Sequence, residues 1–131
     1  AYEITYGDWS SDVCSSDLST HTAEATFDRA FTIYDFTPHM HLRGAWMRYE
    51  AVYPGGKSET LLSVPHYDFH WQNTYTLTEP KRMPAGTRIR ITAGFDNSAL
   101  NPLNPDSNRI VWGGEQSKEE MMIGFFNLTW N

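Results

Sequence analysis

The sequence predicts an all-β fold, an antiparallel two-sheet sandwich of the jelly-roll kind with an irregular N-terminal tail. Three observations predict it: repeated runs of period-two alternation, an aromatic content of 15% beside many β-branched residues, and the absence of sustained helical periodicity. Ala45, Met47, Tyr49, Ala51 and Tyr53 alternate with Trp46, Arg48, Glu50 and Val52, and Pro54-Gly55-Gly56 then turns the chain. Tyr67, Phe69, Trp71, Tyr75 and Leu77 share one face of a second expected strand. Asp68, His70, Gln72, Thr74 and Thr76 share its other face. Ile89, Ile91, Ala93 and Phe95 alternate with Arg88, Arg90 and Thr92. Asp96 to Asn108 carries two Asn-Pro steps and reads as an irregular loop, and Ser117 to Glu120 as a single turn. Seven or eight short strands are expected in all.

A chain of 131 residues makes one domain and buries about two-thirds of its unfolded surface, enough for a core. The net charge is −6 and no basic run exists, which excludes a nucleic-acid partner. No apolar run is long enough for a membrane span. The single Cys, Cys14, excludes an internal disulfide framework and a Cys-based zinc site. Residues 8–18, DWSSDVCSSDL, have neither strand nor helix period. They resemble a sequencing-library adapter translated in frame. On that reading Cys14 is not native, and removing Asp8, Asp12 and Asp17 takes the charge from −6 to −3. The expected organisation is therefore a tail over residues 1–19 and a domain over 20–131, cut from a longer protein. Deleting residues 1–18 is expected to shift stability by no more than about 0.5 kcal/mol.

His39-Met40-His41 is the strongest chemical signal. In a strand, residues i and i+2 project to the same side, so both rings can converge on one metal ion at about 2.0 Å. A pair of surface or hydrogen-bonded histidines is the plainer reading. Pro38 fixes the approach, and Gly44 reads as a flexible end to the motif. A cupin-type site would need an acid shortly after the pair, but Ala45 and Trp46 stand there and the next acid is Glu50. A zinc site built from His39, His41, His66 and His70 is a rival, with His66 and His70 in solvent as the simpler expectation. Met121 and Met122 either fill the core or offer a thioether, a soft ligand that favours Cu(I).

HMHLRG at 39–44 and GGEQSKEEMM at 113–122, in this order, resemble the copper type II ascorbate-dependent monooxygenases, the family of dopamine β-monooxygenase and peptidylglycine α-hydroxylating monooxygenase. The likeness covers roughly residues 28–128, the second of the family's two catalytic sandwich domains. It implies one copper ion held by His39, His41 and Met121, with no catalytic residue beyond these ligands. It implies dioxygen and a small organic substrate as partners, and a reductant, ascorbate or an electron-transfer domain. It also implies a second copper in a preceding domain of the same chain, without which this piece binds copper but does not turn over. The parent would be bacterial, periplasmic or extracellular. Four positions depart from the family pattern. Met122 replaces a disulfide-bonded Cys, Thr37 replaces an Arg that holds a substrate carboxylate, and Ile123 and Phe125 replace an Asn and a Tyr. The implied pocket is apolar and peptide amidation is not expected.

Two other classes remain open at this point. A non-catalytic sandwich module for carbohydrate or protein would present Trp46 or Trp112 for stacking. A calcium site would use Asp96 and Asp106, without the alternating acidic ladder usual for that ion.

Overall fold

The computed structural model describes residues 2–5, 18–109, 111 and 113–131. Its strands are β1 Tyr2–Thr5, β2 Leu18–Phe27, β3 Phe31–Met40, β4 Gly44–Val52, β5 Ser58–Val64, β6 Tyr75–Met83, β7 Thr87–Asp96 and β8 Met122–Trp130. They form two four-stranded antiparallel sheets, in the orders β1-β8-β3-β6 and β2-β7-β4-β5. The all-β sandwich expected from the alternation is the fold observed. Among the described residues, no helix is long and apolar enough to cross a membrane.

The core lies between the sheets. Phe31, Ile33, Phe36, Met40, Met122 and Phe126 of the first sheet meet Met47, Tyr49, Ala51, Ile89, Ile91 and Phe95 of the second, all essentially excluded from solvent. The alternations read in β4 and β7 hold through their centres: Arg48 is exposed while Met47, Tyr49 and Ala51 are buried, and Arg88 and Arg90 are partly exposed beside buried Ile89 and Ile91; Val52 and Thr92, expected on the outer faces, are buried. One side of each strand is thus paid to the core and the other to water, as a half-buried sheet requires.

A β-bulge in β3 positions the site. Phe31, Thr32 and Ile33 pair with Trp130, Thr129 and Leu128, but Asp35 pairs with Asn127, so Tyr34 is supernumerary. Before it the odd-numbered Phe31 and Ile33 point inward; after it the even-numbered Phe36, Pro38 and Met40 do. The extra residue flips the parity, and His39 leaves the core for the outer face. β6 leaves β3 after the Phe36–Tyr75 pair, so Pro38 lies where β3 has a partner on one side only.

Two expectations change. Tyr67 to Leu77 is not one strand: residues 65–74 are irregular and β6 begins at Tyr75. Its aromatic alternation reflects separate anchoring contacts, described below. At the N-terminus, Tyr2–Thr5 and Ser19 lie in strands. Ile4 is only 4% exposed, and Tyr2 packs on Phe27 and Phe126 with ring centres 4.9 and 5.6 Å away. Removing residues 1–18 therefore takes away a paired edge strand, and a near-zero effect is no longer expected. Ile4→Ala alone should cost about 2 kcal/mol by loss of burial, read from urea denaturation followed by tryptophan fluorescence. A cost under about 0.5 kcal/mol would mark β1 as dispensable. The adapter-like stretch, with Trp9, Val13 and Cys14, lies outside the described residues except for Leu18, which opens β2 opposite Asp96 and is 71% exposed.

Candidate metal centre

β3 ends at Met40, and the two histidines flank that end. Their ring centres are 5.3 Å apart and nearly perpendicular. Two imidazoles bound to one tetrahedral ion at about 2.0 Å would have centres about 5 Å apart. An edge-to-face ring contact has a similar spacing, so the hydrogen bonds are the sharper guide. His39 Nδ1 lies 2.7 Å from Gln72 Oε1, and His41 Nδ1 lies 3.1 Å from the Glu119 carbonyl. The Glu119 oxygen can only accept. The Gln72 amide is oriented by its own Nε2, which donates to the Phe69 carbonyl at 2.9 Å and leaves Oε1 facing His39. A neutral ring bonded in this way donates from Nδ1 and leaves its Nε2 lone pair for a ligand, the arrangement metal-binding histidines generally show. His41 is 5% exposed, and burial holds its imidazole below its ordinary pKa despite the Glu119 bond, which keeps it neutral.

The two methionines part company. Met122 pairs with Met40 in the ladder and is buried in the core. Met121, just before β8, is half-buried. The ladder ends at the Met40–Met122 pair, one residue short of His41 and Met121, with Ile123 opposite His39 and Phe125 opposite Thr37. Thr37, His39, Ile123 and Phe125 share the outer face of the sheet, and the His41 ring lies next to that of His39. The Phe125 ring is 6.4 Å from His39 and the Phe69 ring 6.3 Å from His41, so the surroundings are apolar. Two imidazoles and a thioether are a donor set suited to Cu(I).

Several residues that frame this end of the sheet were not legible in the sequence. Tyr67, buried, takes the place of the departed β6. The Met40 N–H donates to its hydroxyl at 2.9 Å, and the hydroxyl donates to the Met40 carbonyl at 2.7 Å. Burial raises the Tyr67 phenol to about 12, so it stays protonated and able to donate. Gly44 is required by close approach and not by flexibility: a Cβ there would sit 2.6 Å from Met40 Cβ and 3.0 Å from the Tyr67 ring. Arg43 is 1% exposed. Its place inside HMHLRG was visible, but a charged residue ordinarily signals a surface. Glu120 is equally buried, with no hydrogen bond to Oε2, and desolvation pushes its carboxyl up to about 7 against the pull of Arg43.

The rival readings lose their geometry. His66 is exposed, and His70, also exposed, lies beside Asp68 at 3.4 Å. Among the described residues no three His, Cys, Asp or Glu side chains gather as a metal site, which leaves the four-His zinc arrangement unassembled. Asp96 and Asp106 are engaged in Asx turns, accepting from the Ser98 and Asn108 N–H groups at 2.9 Å each. Trp46 is half-buried across Gly94, and Trp112 lies outside the described residues. The exposed Trp130 packs on Phe27 and Phe31 at the end of β8, and the exposed Trp71 lies in the irregular segment 65–74, so among the described residues the two are not joined in one stacking face.

No curated protein matches the chain. The family model of the copper type II ascorbate-dependent monooxygenase C-terminal domain matches residues 8–127, and the chain belongs to that family.

Proposed function

We propose that the chain is the oxygen-activating copper domain of a monooxygenase that hydroxylates a C–H bond, with His39, His41 and Met121 holding one copper ion. One observation supports the reading most: both histidines have Nδ1 bonded to oxygen acceptors with ring centres 5.3 Å apart, at the end of the β3–β8 ladder that stops one residue short of Met121. Copper there, when bound, supplies one-electron chemistry toward dioxygen, and the thioether favours its Cu(I) state. The protein's own part is positional. Gln72 and the Glu119 carbonyl hold the rings, Tyr67 holds the backbone between them, and Ile123, Phe125 and Phe69 present an apolar surface to a small organic substrate. Family membership supports a reductant such as ascorbate, a second copper in a preceding domain, and a periplasmic or extracellular parent. The strand order supports the jelly-roll description.

The test is a competition titration of the full chain with Cu(I), Cu(II) and Zn(II). Met121→His should weaken the preference for Cu(I) over Cu(II) by about tenfold, because imidazole is a harder ligand than thioether. A preference identical in Met121→His and in Met121→Leu would remove Met121 from the site.

A further inference from the structure

Arg43 is the most deeply buried cation in the described chain, and nothing in the copper reading uses it. A buried charge is weak evidence for stability, since an apolar side chain of similar size commonly serves as well. What distinguishes Arg43 is where its fork reaches. Nε donates to Asn97 Oδ1 at 2.8 Å and to Asn104 Oδ1 at 3.0 Å, Nη1 to the Lys118 carbonyl at 2.5 Å, and Nη2 to the Asp106 carbonyl at 3.4 Å. Its own carbonyl accepts from the Asp96 N–H at 2.8 Å. The two asparagines are themselves tied, with Asn104 Nδ2 donating to Asn97 Oδ1 at 3.0 Å. One guanidinium thus joins the β3–β4 turn, the loop after β7, and the turn before β8.

The third connection leads toward the metal centre. Three consecutive residues meet three consecutive carbonyls: the Leu42 N–H reaches Ser117 at 3.4 Å, Arg43 reaches Lys118, and His41 Nδ1 reaches Glu119. Met121 follows two residues later. The turn is otherwise held mainly by itself, through the Glu119 N–H on the Gln116 carbonyl and the Gly114 N–H on the Glu120 carbonyl. Of the three links, only that of Arg43 continues through side chains into a third segment.

We propose that Arg43 is a positioning residue, which fixes the 114–120 turn against the loop of Asn97 and Asn104 and so sets where Met121 meets the two histidines. The proposal rests on the His39, His41 and Met121 assignment. Lysine in its place keeps the charge but presents a single point donor in place of a planar fork. His39, held on β3 and by Gln72, stays in place when the fork is lost; His41, next to the Met40 backbone that Tyr67 clamps, keeps its position and loses at most the Glu119 bond behind its ring, whereas the thioether is displaced with the turn. Loss of Arg43 therefore acts on sulfur ligation and spares nitrogen ligation.

X-ray absorption at the copper edge of the Cu(I)-loaded full chain reads this directly, beside Cu(I) and Cu(II) competition titrations and circular dichroism to verify folding. In Arg43→Lys the sulfur shell should disappear, the imidazole shell persist, and Cu(I) affinity fall about tenfold or more, in the range of substitutions that support metal ligands, with Cu(II) affinity unchanged. A merely structural role would weaken both oxidation states together and overturn the proposal, as would a folded Arg43→Lys with its sulfur shell and Cu(I) affinity intact. Should Arg43→Lys not fold, Asn104→Ala, which leaves the guanidinium and removes one of its acceptors, decides by the same two readouts. A sulfur shell missing from the unsubstituted chain, or surviving in Met121→Leu, would overturn the ligand assignment itself, a failure distinct from that of Arg43.

Discussion

His39→Ala and His41→Ala should each lower copper affinity by about a hundredfold or more, while His66→Ala and His70→Ala leave it unchanged. Substitutions behind a ligand typically cost 10- to 100-fold, and removing a ligand should exceed that. The contrast follows from placement. His39 and His41 have both Nδ1 atoms bonded to oxygen acceptors, and their rings are 5.3 Å apart. His66 and His70 lie in the exposed segment after β5. Competition against a chromophoric Cu(I) chelator measures all four variants on one scale. Equal losses across the four would mean a site shared by every histidine, and would return the assignment to zinc.

Tyr67→Phe should destabilise the fold by about 2–4 kcal/mol, because it strands two buried backbone groups at once, each worth roughly 1–3 kcal/mol when left unpaired. The hydroxyl is the shared partner of the Met40 N–H and carbonyl. Met40 is fully buried, so water is a poor substitute. The variant changes no volume in the core beyond one oxygen, which separates this effect from cavity formation. Urea denaturation gives the free energy. Copper affinity should fall as well, since Met40 is the residue between His39 and His41, the proposed ligands. A loss below about 1 kcal/mol would show that another group takes over the hydrogen bonds.

Much of the sandwich was legible because β4 and β7 alternate through their centres and face one core. The histidine pair was legible because strand geometry alone puts i and i+2 together. The segment from Tyr67 to Trp71 misled for a physical reason. Tyr67 turns in to clamp Met40, Phe69 rests beside His41, and Trp71 is 70% exposed, so their spacing of two marks three unrelated environments without any pleat. Arg43 was illegible because its burial depends on acceptors more than fifty residues away, Asn97 and Asn104. The first strand was hidden by its isolation: four residues ahead of a segment with no readable period have no neighbour in the sequence to confirm their face.

Tyr34 makes the site a matter of counting. Upstream of it the lining of the core is written in odd positions, downstream in even ones. An alignment that closes this one-residue gap would match every letter of His39-Met40-His41 and still assign each side chain to the wrong layer. Excising Tyr34, with all ligands untouched, would ask the sheet either to slip against β8 or to bury two imidazoles and expel Met40. The spacing between Ile33 and His39 is therefore as much a signature of this centre as the motif, and a search for similar centres gains by requiring it.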